Sequence, residues 1–244
     1  MRTPEPRDPR RPRGSVASGE VPPGAAAAAR PAVGPRWWPW LLLTLAAAVV
    51  AAAVLRALTG PVLLVPSGSM EPTLRPGERL LVDEAAAGGA GLTHGDVVVF
   101  DGAGSLAPYR SRSSLERGLT DVAAWWGVGG TGDVFVKRVL ALPGDTLTCC
   151  AADGRLVRNG APVDEPYLGR PVSAADPASD SRWEFEVPAG RMVVLGDHRD
   201  ASRDSRALLG APGGGLIPLE SVIGTAEQVV WPLGARRDLE PADG

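Results

Sequence analysis

Cysteine and histidine are almost absent from this chain. Its only cysteines are the adjacent Cys149 and Cys150, and its only histidines are His94 and His198, in 244 residues. Two adjacent cysteines cannot form a disulfide framework, and their spacing matches no zinc site. The sequence shows no motif for a metal, nucleotide or other cofactor site, and none is predicted. The cysteine pair itself is left open between a vicinal disulfide and two buried thiols.

Outside the N-terminus, acidic residues outnumber basic ones. Residues 1–36 carry seven arginines and three acidic residues, a net charge of +4, whereas the whole chain is −3, so residues 37–244 sum to −7. Because phosphate binding needs a basic face, this balance argues against nucleic acid as a partner. Residues 1–36 are rich in Pro, Arg, Ala and Gly without apolar periodicity, and they are predicted to form a disordered cytoplasmic tail.

Long uncharged runs are also rare, and one stands out. Residues 37–55 contain no charge, lie between Arg36 and Arg56, and begin with a cluster of tryptophans. A helix of this length just crosses a hydrocarbon core of about 30 Å. With basic residues upstream, residues 37–58 are predicted to be a transmembrane helix in the plasma membrane with a cytoplasmic N-terminus. A buried core helix and a cleavable signal peptide are the alternatives, although the run exceeds a typical signal-peptide core.

The remainder is predicted to be mainly β, a barrel-like or sandwich domain over residues 59–233, followed by a C-terminal tail at 234–244. Short segments rich in Val and Leu alternate with Gly, Pro or Asp turns. Asn159-Gly160 is typical of a hairpin turn. The predicted strands are 63–66, 79–83, 96–100, 134–142, 156–158, 183–187, 191–195 and 222–231.

An insertion at 102–133 interrupts this pattern and contains one predicted amphipathic helix. Ser113 and Glu116 have the spacing of a capping box, and apolar residues follow at helical intervals. The helix either packs on the β-domain or dips its Trp125-Trp126 end into the membrane surface.

Lys137 is the first candidate for chemistry. On a strand it shares a face with the apolar Phe135 and Val139, whereas Arg138 points the other way. An apolar setting disfavours the charged ammonium, so the pKa of Lys137 is expected to fall. A drop of about 2–3 units would leave much of the amine neutral near pH 8, able to take a proton from a serine. The alternative is an exposed lysine on an edge strand.

Two further segments carry polar residues suited to catalysis. In residues 66–74, Gly68 and two prolines suit a rigid turn that presents Ser69, although serine is common in turns without any chemistry. Residues 196–206 are dense in Asp, Arg and Ser, which are either solvated or order a site through Asp–Arg pairs.

Four ordered segments together resemble the motifs of bacterial type I signal peptidases (leader peptidases), which are serine proteases with a Ser/Lys dyad. They are PSGSMEPTL at 66–74, GDVVVF at 95–100, FVKRVLALPGD at 135–145 and GDHRDASRDSR at 196–206. The resemblance extends from the N-terminal membrane segment to about residue 231. It implies a membrane-bound endopeptidase with an extracytoplasmic catalytic domain, acting near the export machinery. Its partners would be membrane lipid and exported preproteins, whose signal peptides it would cleave after small residues at −1 and −3 (Ala-x-Ala).

The resemblance also assigns roles to individual residues. It implies that Ser69 is the nucleophile and Lys137 the general base, with an oxyanion hole formed by the Ser67 hydroxyl and the Ser69 backbone N–H. Ser202 would orient the lysine amine. The residues that would brace the site are Arg138, Asp204 and Arg206.

His198 departs from the family pattern, because the family usually has Asn at this position of the motif at 196–206. This raises a rival Ser–His dyad, while His94 is interpreted as a turn residue. Two further hypotheses are a related Ser–Lys hydrolase devoted to self-cleavage or to one substrate, and a membrane-tethered binding module without activity.

Overall fold

The computed structural model describes residues 37–106, 133–211, 213–239 and 241. One α-helix, α1 (Trp38–Thr59), precedes a series of β-strands. The strands are β1 (Val62–Leu64), β2 (Arg79–Asp83), β3 (Val97–Asp101), β4 (Val134–Ala141), β5 (Thr146–Cys149), β6 (Leu156–Arg158), β7 (Ala161–Pro162), β8 (Trp183–Glu186), β9 (Arg191–Leu195), β10 (Ile217–Pro218), β11 (Val222–Trp231) and β12 (Arg237–Asp238).

Helix α1 begins and ends one residue later than the helix predicted at 37–58. No helix among the described residues meets both the length and the apolarity required to span a bilayer. The transmembrane assignment therefore stays a prediction. The predicted tail at 1–36 and the amphipathic helix predicted within the insertion lie outside the described residues.

The mainly β prediction is confirmed. The larger sheet is antiparallel, curls into a half-barrel and has the strand order β1-β2-β11-β3-β4-β9-β10, with β12 pairing on β11. Strand β4 is interior, since it pairs with β3 on one side and β9 on the other. Its apolar side chains alternate as expected: Phe135 and Val139 pack in one cluster, and Val136 packs in another.

A smaller sheet has the order β7-β6-β5-β8. Asn159 and Gly160 both have positive φ, 54° and 81°, as the turn between β6 and β7 requires, so the predicted hairpin is confirmed. Burial alternates along β8, where Trp183 and Phe185 enter the core beside Leu147 and Leu156. Cys149 and Cys150 form a vicinal disulfide at the end of β5.

Four strands were not predicted: β5, β7, β10 and β12. Three of them have only two residues, which is too short for an alternating pattern to be visible in the sequence. Strand β12 lies within the residues assigned to a C-terminal tail, where it pairs with β11 at Gln228 and Val229.

Candidate active site

Ser69 lies in a turn whose base is closed by backbone hydrogen bonds. Val65 N–H donates to the Glu78 carbonyl at 2.8 Å, and Gly77 N–H donates to the Val65 carbonyl at 2.9 Å. Immediately after Ser69, Met70 is buried in the core beneath the larger sheet. Ser69 is thus held in place on one side by the hydrogen bonds that close the turn and on the other by the buried Met70 side chain.

Lys137 projects from β4 towards this turn, and its Nζ lies 2.5 Å from the Ser69 Oγ. The lysine is only 3% exposed. Because β4 has a hydrogen-bonded neighbour on each side, the alternative of an exposed lysine on an edge strand is wrong. Residues 68 positions apart in the sequence therefore meet as a hydroxyl and a buried amine.

Burial changes the acid–base behaviour of this amine. Loss of hydration lowers the pKa of Lys137 from 10.5 to about 8. The carboxylates of Asp204 and Asp197 act against this shift, and the Arg206 guanidinium adds to it. The expected fall in pKa is confirmed, and about half of the amine is neutral at pH 8. A neutral amine has a lone pair, so it can accept the Ser69 proton across the same contact.

Asp204 organises the loop that follows β9. Its carboxylate is fully buried and accepts hydrogen bonds from Gly196 N–H at 3.0 Å and from Arg206 Nε and Nη2 at 2.9 and 2.8 Å. Burial alone would raise the pKa of Asp204, but the hydrogen bonds and charge of Arg206 and the Gly196 N–H outweigh it, and the pKa is lowered. Arg206 also donates to the Arg199 carbonyl at 2.7 Å, so the Asp204–Arg206 pair ties the two limbs of the loop together.

Arg138 follows Lys137 on β4, and its side chain is buried on the opposite face of that strand. Its Nε and Nη2 donate to both carboxylate oxygens of Asp197, at 2.9 and 2.7 Å, and its Nη1 donates to the Gly95 carbonyl at 2.7 Å. The guanidinium stacks 3.9 Å from the centre of the Tyr167 ring. Such a two-pronged pair fixes the position of the Gly196-Asp197 turn relative to β4.

Some residues of this network escaped the sequence analysis. The Thr73 hydroxyl donates to Asp197 at 2.5 Å, and the Tyr167 hydroxyl donates to Glu165 at 2.8 Å. Glu165 also forms a buried ion pair with Arg199. Asp197 and Arg199 belong to the motif at 196–206, whereas Glu165 and Tyr167 lie in no motif and have no local signal in the sequence.

Ser202 lies at the site, but it is not joined to the lysine by a hydrogen bond. Within the described residues its buried Oγ has no hydrogen-bond partner, although it lies close enough to help lower the pKa of Asp204. A Cβ at Gly196 would come within 2.2 Å of this Oγ and 2.4 Å of the Ser69 carbonyl. Only glycine therefore allows the two segments to approach this closely.

His198 contacts the backbone of the serine turn. Its Nδ1 lies 3.1 Å from the Gly68 carbonyl, which can only accept, so Nδ1 carries the proton of this hydrogen bond. Its backbone N–H donates to the Ser69 carbonyl at 3.1 Å. Among the described residues, the contact to the Ser69 hydroxyl comes from Lys137 and, at 3.4 Å, from the exposed Ser67 hydroxyl.

His94 lies in a turn, as the sequence analysis interpreted it. Its Nε2 is 2.7 Å from the Asp145 carboxylate, which also accepts from Leu142 N–H and the Asn159 amide. The histidine thus supports the junction between β4 and β5 rather than the serine turn.

A mainly β domain that holds a serine hydroxyl against a buried amine has the groups that a serine peptidase needs. The comparisons give the family. The chain matches the signal peptidases of the S26 peptidase family over residues 37–231, and it belongs to that family.

Named relatives agree with this assignment. The chain is 35% identical to signal peptidase I of Mycobacterium tuberculosis (strain H37Rv) over 204 residues, covering 74% of this chain and 69% of that protein. It is 32% identical to signal peptidase I U of Bacillus subtilis over 177 residues, covering 71% and 77%. A crystal structure of a signal peptidase I from Enterococcus faecalis matches at 25% identity over 55% of this chain and 95% of that one, with a TM-score of 0.36.

Proposed function

We propose that this protein is a membrane-bound serine endopeptidase that cleaves signal peptides from exported preproteins, with Ser69 as nucleophile and Lys137 as general base. The observation that carries the proposal is the 2.5 Å contact between the Ser69 Oγ and a lysine amine that is almost fully buried. Lys137 is the only lysine in the chain, so no other lysine can take its place.

In the acylation step, the neutral amine of Lys137 accepts the Ser69 proton while Oγ attacks the scissile carbonyl. The resulting tetrahedral intermediate collapses when the protonated lysine returns its proton to the leaving amine, which departs as the new N-terminus of the mature protein. A water molecule, deprotonated by the same lysine, then attacks the acyl-enzyme, and the Ser69 hydroxyl is restored as the signal peptide leaves.

The oxyanion of each intermediate needs two hydrogen-bond donors. The backbone N–H of Ser69 has no acceptor among the described residues, and the Ser67 hydroxyl is exposed 3.4 Å from the Ser69 Oγ. Both are therefore available, and one such donor is worth about 3–4 kcal/mol. The Ser202 hydroxyl is buried beside Gly196, and it would orient the amine.

Two buried ion pairs support the Ser69–Lys137 dyad. Arg138 holds Asp197, and Arg206 holds Asp204, so the loop after β9 keeps one position against the serine turn. A rigid surround matters because a misplacement of about 1 Å can cost about a hundredfold in rate.

The proposals for the substrate and for the cellular location rest on membership of the family. We propose cleavage after small residues at −1 and −3 (Ala-x-Ala), with the peptide bound in an extended conformation. The uncharged residues 37–55, between two arginines, support a single membrane span with a cytoplasmic N-terminus and an extracytoplasmic domain. Membrane lipid and the export machinery would then be its surroundings, and partition between carbonate-washed membranes and supernatant tests this part.

The decisive experiment incubates the detergent-solubilised full chain with a preprotein that carries an Ala-x-Ala site. Ser69→Ala and Lys137→Ala should each abolish cleavage and keep the thermal unfolding transition. Ser221→Ala is the matched control, because its hydroxyl donates only to the Pro218 carbonyl. Cleavage at the wild-type rate by either dyad variant would refute the proposed mechanism.

The rival Ser–His dyad is tested in the same assay. In His198→Ala, the rate of cleavage should still fall on the acidic side of its pH profile near the pKa of Lys137 (the acidic limb). The reason is that the His198 side chain contacts the Gly68 carbonyl rather than the Ser69 hydroxyl. Loss of cleavage together with that limb in His198→Ala would transfer the role of base to the histidine.

A further inference from the structure

Strand β12 lies beyond residue 231, where the match to the signal peptidase family ends. Its Arg237 nevertheless reaches the loop that carries Ser69. The guanidinium donates to both carboxylate oxygens of Glu78, at 2.9 and 2.7 Å, and to the Thr73 carbonyl at 2.6 Å. One side chain thus joins the C-terminal segment to two points of the serine-bearing loop.

Thr73 is held at two of its polar groups. Its carbonyl accepts from Arg237, and its hydroxyl donates to Asp197 at 2.5 Å. The next residue, Leu74, is fully buried, and its N–H donates to the Met70 carbonyl at 2.9 Å. Fixing Thr73 therefore fixes a hydrogen-bonded turn of the chain that starts directly after the nucleophile.

Glu78 closes the other end of the loop. It is 5% exposed, its carbonyl accepts from Val65 N–H, and its carboxylate accepts from Arg75 N–H at 2.9 Å. Burial alone would raise the pKa of Glu78, but the hydrogen bonds from Arg237 and Arg75 N–H and the arginine charges outweigh it, and the pKa is lowered. A buried carboxylate needs a partner cation, and Arg237 provides the bidentate one.

We propose that Arg237 is a positioning residue for Ser69, and that the C-terminal segment 233–239 completes the active site by holding the Thr73–Glu78 limb of the nucleophile loop. The inference rests on the proposed function in that Ser69 is taken as the nucleophile. Arg237 acts through Thr73 and Glu78 and touches neither the substrate nor the reacting atoms.

Arg237→Met is the direct test, because methionine keeps an apolar stem and removes all four donated hydrogen bonds, including the one to the Ala235 carbonyl at 3.0 Å. We expect kcat for an Ala-x-Ala preprotein to fall about 10- to 100-fold, because the nucleophile is displaced. KM should be unchanged. The pH of the acidic limb should also be unchanged, since Arg237 is not among the charges that shift the Lys137 pKa. Arg237→Lys should recover part of kcat, since one amine replaces only part of the fork.

Arg236→Met is the matched control. Arg236 is the preceding residue, and its side chain is an exposed donor to the Gln228 amide oxygen at 3.2 Å. It should keep the wild-type kcat. Equal losses in Arg236→Met and Arg237→Met, or a wild-type kcat in Arg237→Met, would overturn the inference.

Amide hydrogen exchange of the full chain in detergent separates this inference from the proposed function. Arg237→Met should speed exchange in peptides covering residues 66–75 and leave β9 unchanged, and Arg236→Met should change neither. Unaltered exchange at 66–75 overturns the inference even if cleavage is observed. If the wild type cleaves no preprotein, the proposed function fails, while faster exchange confined to Arg237→Met still supports the positioning of the loop.

Discussion

Replacing Lys137 by methionine should stabilise the protein at pH 7, although it removes the proposed general base. Methionine keeps the apolar stem and removes the amine, which is 3% exposed. The fall in the Lys137 pKa from 10.5 to about 8 corresponds to about 3 kcal/mol of penalty for holding the charged form in the folded state. Methionine escapes this penalty.

The sign of the pH dependence follows from proton binding. The folded-state pKa of Lys137 lies below its unfolded value, so between about pH 8 and 10.5 the unfolded chain binds more protons, and wild-type stability rises with pH. Below about pH 8 both states are protonated and the full penalty applies. By pH 10 only about 1 kcal/mol of it remains.

The hydrogen bond to Ser69 works in the opposite direction. Its loss costs the methionine variant about 1 kcal/mol, which leaves a net gain of about 2 kcal/mol at pH 7 and about zero at pH 10. For a domain of this size, that gain raises the unfolding midpoint by about 4–8 °C. Thermal unfolding of wild type and Lys137→Met at both pH values measures the difference between the proteins, in which other titrating groups cancel.

The neighbouring buried cation provides the control. Arg138→Met should destabilise by about 3–5 kcal/mol, because it leaves the buried Asp197 carboxylate without its ion pair. If Lys137→Met were no more stable than wild type at pH 7, or if its advantage persisted unchanged at pH 10, the reasoning from burial would be refuted.

Two further outcomes are expected. Asp204→Asn should move the acidic limb of the pH–rate profile to lower pH, because the Asp204 charge raises the pKa of Lys137, and Arg206→Gln should move it to higher pH, because the Arg206 charge lowers that pKa. With selectively ¹³Cε-labelled lysine, the NMR signal of Lys137 should titrate in parallel. Shifts of the same sign in the two variants would contradict this prediction. Gly196→Ala should lower kcat about a hundredfold, since its Cβ would lie 2.4 Å from the Ser69 carbonyl. Gly210→Ala is the control, because a Cβ at this position meets open space. Equal cleavage rates in the two variants would contradict the packing argument.

Local pattern explains which strands were predictable. Segments such as β9 and β11 have enough Val, Leu or Ile to show their character within a few residues, and Asn159-Gly160 carries its turn preference in its own backbone conformations. The two-residue strands β7, β10 and β12 exist because a longer partner supplies their hydrogen bonds. The residues of these short strands therefore do not by themselves predict that they pair.

The sequence alone determined the mainly β class, the family resemblance, and Ser69 and Lys137 as candidates, because each depends on residues close together in the chain. Tertiary structure decided that β4 is an interior strand, and therefore that Lys137 is buried with a lowered pKa. It also decided the partners of Glu165 and Arg237, which act over 34 and 159 residues of sequence. Such contacts depend on how the sheet closes in space, and a residue's immediate neighbours in the sequence carry no trace of that.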